Sequence, residues 1–270
     1  MKKAFYKKKR YWLLIFIILG LGLFIYPFTQ DPLGHFQRSV AKVLSYAGIE
    51  EHSQASQKDF FHYWEAGKKT KQHNTLLLLH GFGGNSLWTW MRLMPSLSQE
   101  RHLLALDLLA SRFMQIKPQT YSVQAEADHV LRFLEKQQVK KIDIIALSVG
   151  GWIALKIAHE HPDKVGRLIL IESAGLTTEI PSFARLTLDN RERAQDFMNR
   201  LFYHPPPVPD FALDALVKAS NRIKKHYLKT LDFFIKNSAP QVMDEKIKDI
   251  FQKTLILHGR QDQVIPLEHA

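Results

Sequence analysis

Ile142-Asp143-Ile144-Ile145-Ala146-Leu147-Ser148-Val149-Gly150-Gly151 runs from an apolar stretch of strand length, through a serine, to two glycines. Trp152 to His159 then continues at helical spacing and stops before Pro162. A near-continuous apolar strand is one buried on both faces, as in a parallel sheet covered by helices. A serine at the sharp turn between such a strand and its helix is a nucleophile elbow. That turn needs small residues two before and two after, so that strand and helix can approach. Ala146 and Gly150 hold those positions, with Ala146 adding one methyl where glycine is usual. A buried serine at any strand–helix junction would read the same way, so the surrounding sequence has to decide.

Working outward, the same rhythm recurs. Phe60–Ala66, Leu76–Leu79, Leu103–Leu106, Leu168–Ile171 and Thr254–Leu257 read as strands, and Val123–Glu135 reads as a helix. Short apolar strands alternating with helices predict an α/β fold, a doubly wound and mostly parallel sheet. The rhythm breaks over residues 176–250, which are helical in pattern and carry Pro205-Pro206-Pro207-Val208-Pro209. A helical insertion at this point reads as a cap over the sheet's edge.

The strand ending at Leu79 runs into His80-Gly81-Phe82-Gly83-Gly84-Asn85-Ser86. With the serine elbow, this loop makes the chain resemble the α/β-hydrolase family from about Phe60 onward. In that family a His-Gly-x-Gly loop exposes backbone N–H groups to a developing oxyanion. The resemblance assigns that role to the amides of Phe82 and Val149. His80, Gly81, Gly83 and Gly84 then shape the loop. The family's Asp-x-x-Gly-x-Gly after the next strand survives here only as the aspartate of Asp107-Leu108-Leu109-Ala110-Ser111, so this loop is expected to differ.

His258-Gly259-Arg260-Gln261-Asp262 resembles the family segment whose aspartate orients a catalytic histidine. The resemblance makes Asp262 the acid, with Glu172 at the end of the preceding strand as runner-up. The family places its histidine about 25 to 30 residues beyond the acid, in chain order Ser, Asp, His. Ala270 is the last residue here, so the core is expected to lack a last strand and helix and to leave a sheet edge open. His269 falls in the first turn after Pro266, where its backbone is poorly placed to reach the serine. Two readings of the chain as it stands follow, a truncated hydrolase or a non-catalytic protein of the same fold.

Serine at the elbow argues against relatives with an aspartate nucleophile. It leaves carboxylic ester hydrolysis, lipase-like or esterase-like, with carbon–carbon bond hydrolysis as the rival. Phe183, Phe197, Phe202, Tyr203, Phe211, Phe233 and Phe234 give the cap an aromatic character suited to an acyl chain, or equally to the cap's own core. No metal-ligand cluster or nucleotide fingerprint appears, so neither a metal nor a cofactor is expected.

The 270 residues suffice for one large domain with an insertion, and hydrophobic residues at 46% supply a real core. With no cysteine, disulfides, thiolate metal sites and a cysteine nucleophile are excluded. The net charge of +11 owes six positives to Lys2, Lys3, Lys7, Lys8, Lys9 and Arg10. The rest is scattered among acids without a basic stripe, which argues against nucleic acid. Behind the basic run, Tyr11–Phe28 contains no charge, and a helix of that length rises about 27 Å, near the thickness of a bilayer core. Aromatic residues at its ends and the absence of a small-x-small cleavage site favour an uncleaved anchor over a signal peptide. Positive-inside placement puts the remainder on the extracytoplasmic side. The expected organisation is an anchor over 1–30, an amphipathic helix and connector over 31–58, hydrolase core over 59–175, cap over 176–250, and core again over 251–270. A group of bacterial membrane-associated lipases and esterases is similar in this layout.

Overall fold

The computed structural model describes residues 31–55, 59–112, 117–177 and 187–269. Tyr11–Phe28, expected to span a membrane, lies outside them. Among the described residues no helix is long and apolar enough to cross a membrane.

Helix α1 (Pro32–Tyr46) starts at Asp31, whose carboxylate accepts the Gly34 amide in an N-cap. It buries Leu44, with Val40 and Ala41 packed alongside. Strand β1 (Ile49–Ala55) follows and pairs antiparallel with β2 (Phe60–Ala66). The connector read from sequence is therefore corrected, because much of it is a strand. Its Glu50, Glu51, His52, Ser53 and Gln54 sit on an edge strand that needs hydrogen bonds on one side only, so apolar alternation is not required.

The remaining strands are β3 (Thr75–Leu79), β4 (Leu103–Leu106), β5 (Ile142–Leu147), β6 (Val165–Ile171) and β7 (Lys253–Leu257). The seven lie in the order β1-β2-β4-β3-β5-β6-β7. β2 runs antiparallel to β4, and all pairs from β4 through β7 are parallel. The predicted mostly parallel sheet is thus present. β7 forms the other edge, with Leu255, Ile256 and Leu257 exposed.

Both faces of the central strands are buried, which explains their unbroken apolar sequence. Leu77, Leu79, Ile144, Ala146, Leu168 and Leu170 share a core with α4 (Val123–Lys136) and α5 (Val149–Glu160). Leu76, Leu78, Leu103, Ala105 and Ile145 pack on the opposite side with α1, α2 (Ser86–Trp90) and α3 (Met94–Leu97). Each fully buried leucine contributes about 1.5–3 kcal/mol, so the central strands hold the framework on which the loops are set.

The stretch expected as a cap contains α6 (Arg191–Leu201) and the long α7 (Asp210–Ser238), joined through the proline-rich turn. The C-terminal end of α7 is tied to the core. Ser238 Oγ accepts the Val123 amide at 2.9 Å, and Asn237 donates to the carbonyls of Gln119 and Tyr121.

Candidate active site

Three adjacent parallel strands, β5, β6 and β7, carry Ser148, Glu172 and Asp262 beyond their C-terminal ends. Ser148 has φ 55° and ψ −123°, a conformation unfavourable for a residue with a Cβ. Backbone hydrogen bonds hold it there. Its amide donates to Ile171 O at 3.0 Å, and its carbonyl accepts from Gly151 N at 2.8 Å and Ala174 N at 3.0 Å. Gly150 is required on steric grounds, since a Cβ there would lie 2.6 Å from Leu79 O and 2.7 Å from His80 O. Ala146 is fully buried, in register with Leu79 on one neighbouring strand and Leu170 on the other.

The loop from His80 to Ser86 crosses directly against the serine. A Cβ on Gly81 would come within 3.1 Å of Ser148 Cβ and 3.5 Å of its Oγ. Gly83 takes φ 75°, and the Gly84 amide closes the turn on Gly81 O at 3.2 Å. His80 is wholly buried and uses both ring nitrogens on backbone. Nε2 accepts the Leu108 amide at 2.9 Å, which leaves Nδ1 as the donor to Gly81 O at 2.7 Å. Burial pushes its pKa down, so the ring is neutral and holds the loop rather than carrying protons.

Asp107 holds the far end of the same loop, its Oδ1 accepting the Ser86 amide at 2.6 Å where α2 begins. Its Oδ2 meets His62 Nδ1 at 2.8 Å, and His62 Nε2 meets Glu51 Oε1 at 2.8 Å. The hydrogen bond to Asp107 outweighs burial and raises the His62 pKa. Burial alone would raise Asp107, but the hydrogen bond from His62, its neighbour His80 and the Ser86 amide leave it lowered. The signs predict two pH limbs. The His62 contribution to stability is complete below its ordinary value of 6.5 and is lost as pH rises through the raised value. The Asp107 contribution is present above 3.8 and is lost as pH falls through the lowered value. Melting temperatures across pH should therefore show wild type above His62→Gln below pH 6.5 and converging with it at higher pH.

The Phe82 ring points into an aromatic group with Tyr121, Tyr227 and Phe234, at centroid distances of 6.1, 5.7 and 5.4 Å, and Trp152 meets Phe234 edge-on at 5.9 Å. Burial pushes the Tyr227 hydroxyl up to about 12, so it stays protonated. Of the aromatic residues expected to give the cap its character, Phe234 joins this group. Phe202, Tyr203 and Phe211 are exposed instead, and Phe183 lies outside the described residues. Tyr121 and Tyr227 belong to the group without any local signal in the sequence. Phe82→Ala should destabilise the fold by about 2–3 kcal/mol, less than for a fully buried phenylalanine, as read from urea unfolding.

Asp262 is set by its own turn, with Oδ1 accepting the amides of Val264 at 2.7 Å and Ile265 at 2.9 Å. Its Oδ2 lies 3.5 Å from His258 Nε2, whose proton goes to Ile265 O at 2.8 Å. Glu172, with φ 45°, accepts from the Gly259 backbone, and burial followed by the charge of Asp262 raises its pKa. His269 sits in a 3₁₀ turn with its amide on Pro266 O.

Residues 74–220 match the family described as alpha/beta hydrolase fold. The chain belongs to that family. It is 30% identical over 230 residues to a 2-hydroxymuconate semialdehyde hydrolase from a Pseudomonas species, covering 75% of this chain and 77% of that protein. It is 30% identical over 216 residues to a 2-hydroxy-6-oxo-2,4-heptadienoate hydrolase of Pseudomonas putida, covering 72% and 74%. Among solved structures, a bacterial membrane phospholipase A superposes with a TM-score of 0.75 at 25% identity, covering 96% of this chain and 84% of that one. The chain is thus an α/β-fold hydrolase by kinship. In this α/β-hydrolase scaffold the Ser148 turn and the glycine loop lie against each other. The supporting contacts from Asp107 and His62, and the aromatic group around Phe82, were not legible in the sequence motifs.

Proposed function

We propose that this chain is a membrane-anchored serine hydrolase of carboxylic esters that works through an acyl-enzyme at Ser148. The observation that carries the reading is the strained Ser148 turn packed against the Gly81–Phe82 backbone. Strain of this kind persists where the surroundings overdetermine it, and it presents the hydroxyl clear of the strand. In this reading Ser148 Oγ attacks the ester carbonyl, and the amides of Phe82 and Val149 take the oxyanion. The imidazole base that the family uses would take the Ser148 proton and pass it to the departing alkoxide; water, giving a proton to the same base, would then release the acid from the acyl-serine and restore the hydroxyl. Asp262, with Oδ1 committed to backbone, presents Oδ2 to orient the imidazole base that the family uses.

The likeness to a membrane phospholipase A supports an ester substrate, as does the uncharged segment Tyr11–Phe28. The two 30%-identical relatives favour a second reading, carbon–carbon bond hydrolysis. The full-length protein offered a p-nitrophenyl ester and 2-hydroxymuconate semialdehyde in parallel should show the larger kcat/KM for the ester. The reverse order would establish the second reading. For the anchor, a reporter fused after Gly48 should appear on the outer side of the membrane, and recovery of a soluble, N-terminally trimmed protein would refute it.

A further inference from the structure

Resting on the anchored reading above, we infer that the face built by α1 and α2 lies directly on the lipid bilayer, with anionic phospholipid as its occupant. Large apolar side chains on this side of the sheet are solvent-exposed, among them Phe36 at 42%, Val43 at 66%, Trp88 at 39% and Leu93 at 45%. Phe36 and Trp88 stack at 5.3 Å with planes 13° apart, which locks α1 to α2 as one surface. On α1, Phe36 and Val43 are seven residues apart and so share one stripe, next to the stripe that buries Leu44. Exposed Lys42 borders that stripe on α1 and exposed Arg92 precedes Leu93, while Arg38 lies on the other side of α1 and pairs with Asp31 at 3.5 Å. Exposed apolar side chains flanked by Lys42 and Arg92 match the boundary between acyl chains and anionic headgroups. A protein partner would instead favour a core depleted of charge.

Phe28 ends the uncharged segment, and Asp31 caps α1 three residues later, a span of at most about 10 Å. α1 is about 22 Å long and also touches α7 of the cap. The same helix therefore links the bilayer, the cap and α2, and α2 begins where the loop against Ser148 ends.

The absence of cysteine makes the test clean. Full-length protein carrying Val43→Cys, Leu93→Cys, Gly20→Cys or Glu135→Cys is labelled with an environment-sensitive fluorophore. Each is reconstituted in phosphatidylcholine–phosphatidylglycerol vesicles with and without nitroxide lipid. Glu135 is exposed on α4, on the opposite side of the sheet. Labels at 43 and 93 should lose about half or more of their emission to the nitroxide, as should the label at 20, while the label at 135 keeps its own. Quenching at 20 without quenching at 43 and 93 overturns this inference and leaves the anchor standing. No quenching at 20 overturns the anchor and this inference together. Hydrolysis is not measured, so the ester reading is not at stake in either outcome.

Discussion

In a chain that carries the family's imidazole base, Ser148→Ala is expected to lower ester turnover by about 10⁴- to 10⁶-fold, the loss typical when a catalytic serine is removed and only oxyanion and binding contributions remain. Stability should hardly change. The substitution keeps the Cβ, so the φ of 55° is no less strained, and it removes a single oxygen from a half-buried position. Ser148→Gly separates the two effects. It deletes the nucleophile as well, but it relieves the steric penalty of this backbone and should raise stability by about 1 kcal/mol. A fluorophosphonate probe should label wild type and neither variant. Turnover that survives in Ser148→Ala would mean that the elbow is a structural junction and that another group attacks the substrate.

The contrast between what could and could not be read from residue order has physical causes. The elbow was legible because strand, serine and glycine are contiguous, and because the helix must pass within van der Waals distance of Leu79 and His80. The central strands were legible because burial on both faces leaves them unbroken apolar runs. β1 was not, since Ile49 is its one fully buried residue and its hydrogen bonds come from β2 rather than from any local pattern. The Glu51–His62–Asp107 chain depends on β1, β2 and β4 lying side by side, which residue order does not announce. The aromatic group around Phe82 fails for a similar reason. Tyr121 precedes α4 and Tyr227 lies on α7, so they meet only after α7 folds back on the core. Phe82, which the resemblance singles out for its amide, is thereby also a packing residue.

In a chain that carries the family's imidazole, Asp262→Asn should reduce kcat about 10⁴-fold while leaving the turn intact, because the amide oxygen still accepts from Val264 and Ile265 but the charge that orients and stabilises an imidazolium is gone. Asp262→Ala should lose a similar factor and in addition about 2 kcal/mol of stability, since two backbone N–H groups lose their acceptor. The pair of variants thus distinguishes a charge acting on catalysis from a side chain that merely closes a turn. Glu172 supplies an independent readout. Its pKa is raised by burial and then by the charge of Asp262, so Asp262→Asn should shift its titration downward, while Asp262 in the wild type holds it up. Following Glu172 by carboxylate NMR checks that the two acids are coupled across the ends of β6 and β7 whether or not any substrate turns over. Should Asp262→Asn keep most of the wild-type kcat while Glu172→Gln abolishes it, the acid of this hydrolase is the carboxylate beyond β6. The strained φ of 45° at Glu172 would then hold a catalytic group, as the φ of 55° does at Ser148 in the reading proposed for it.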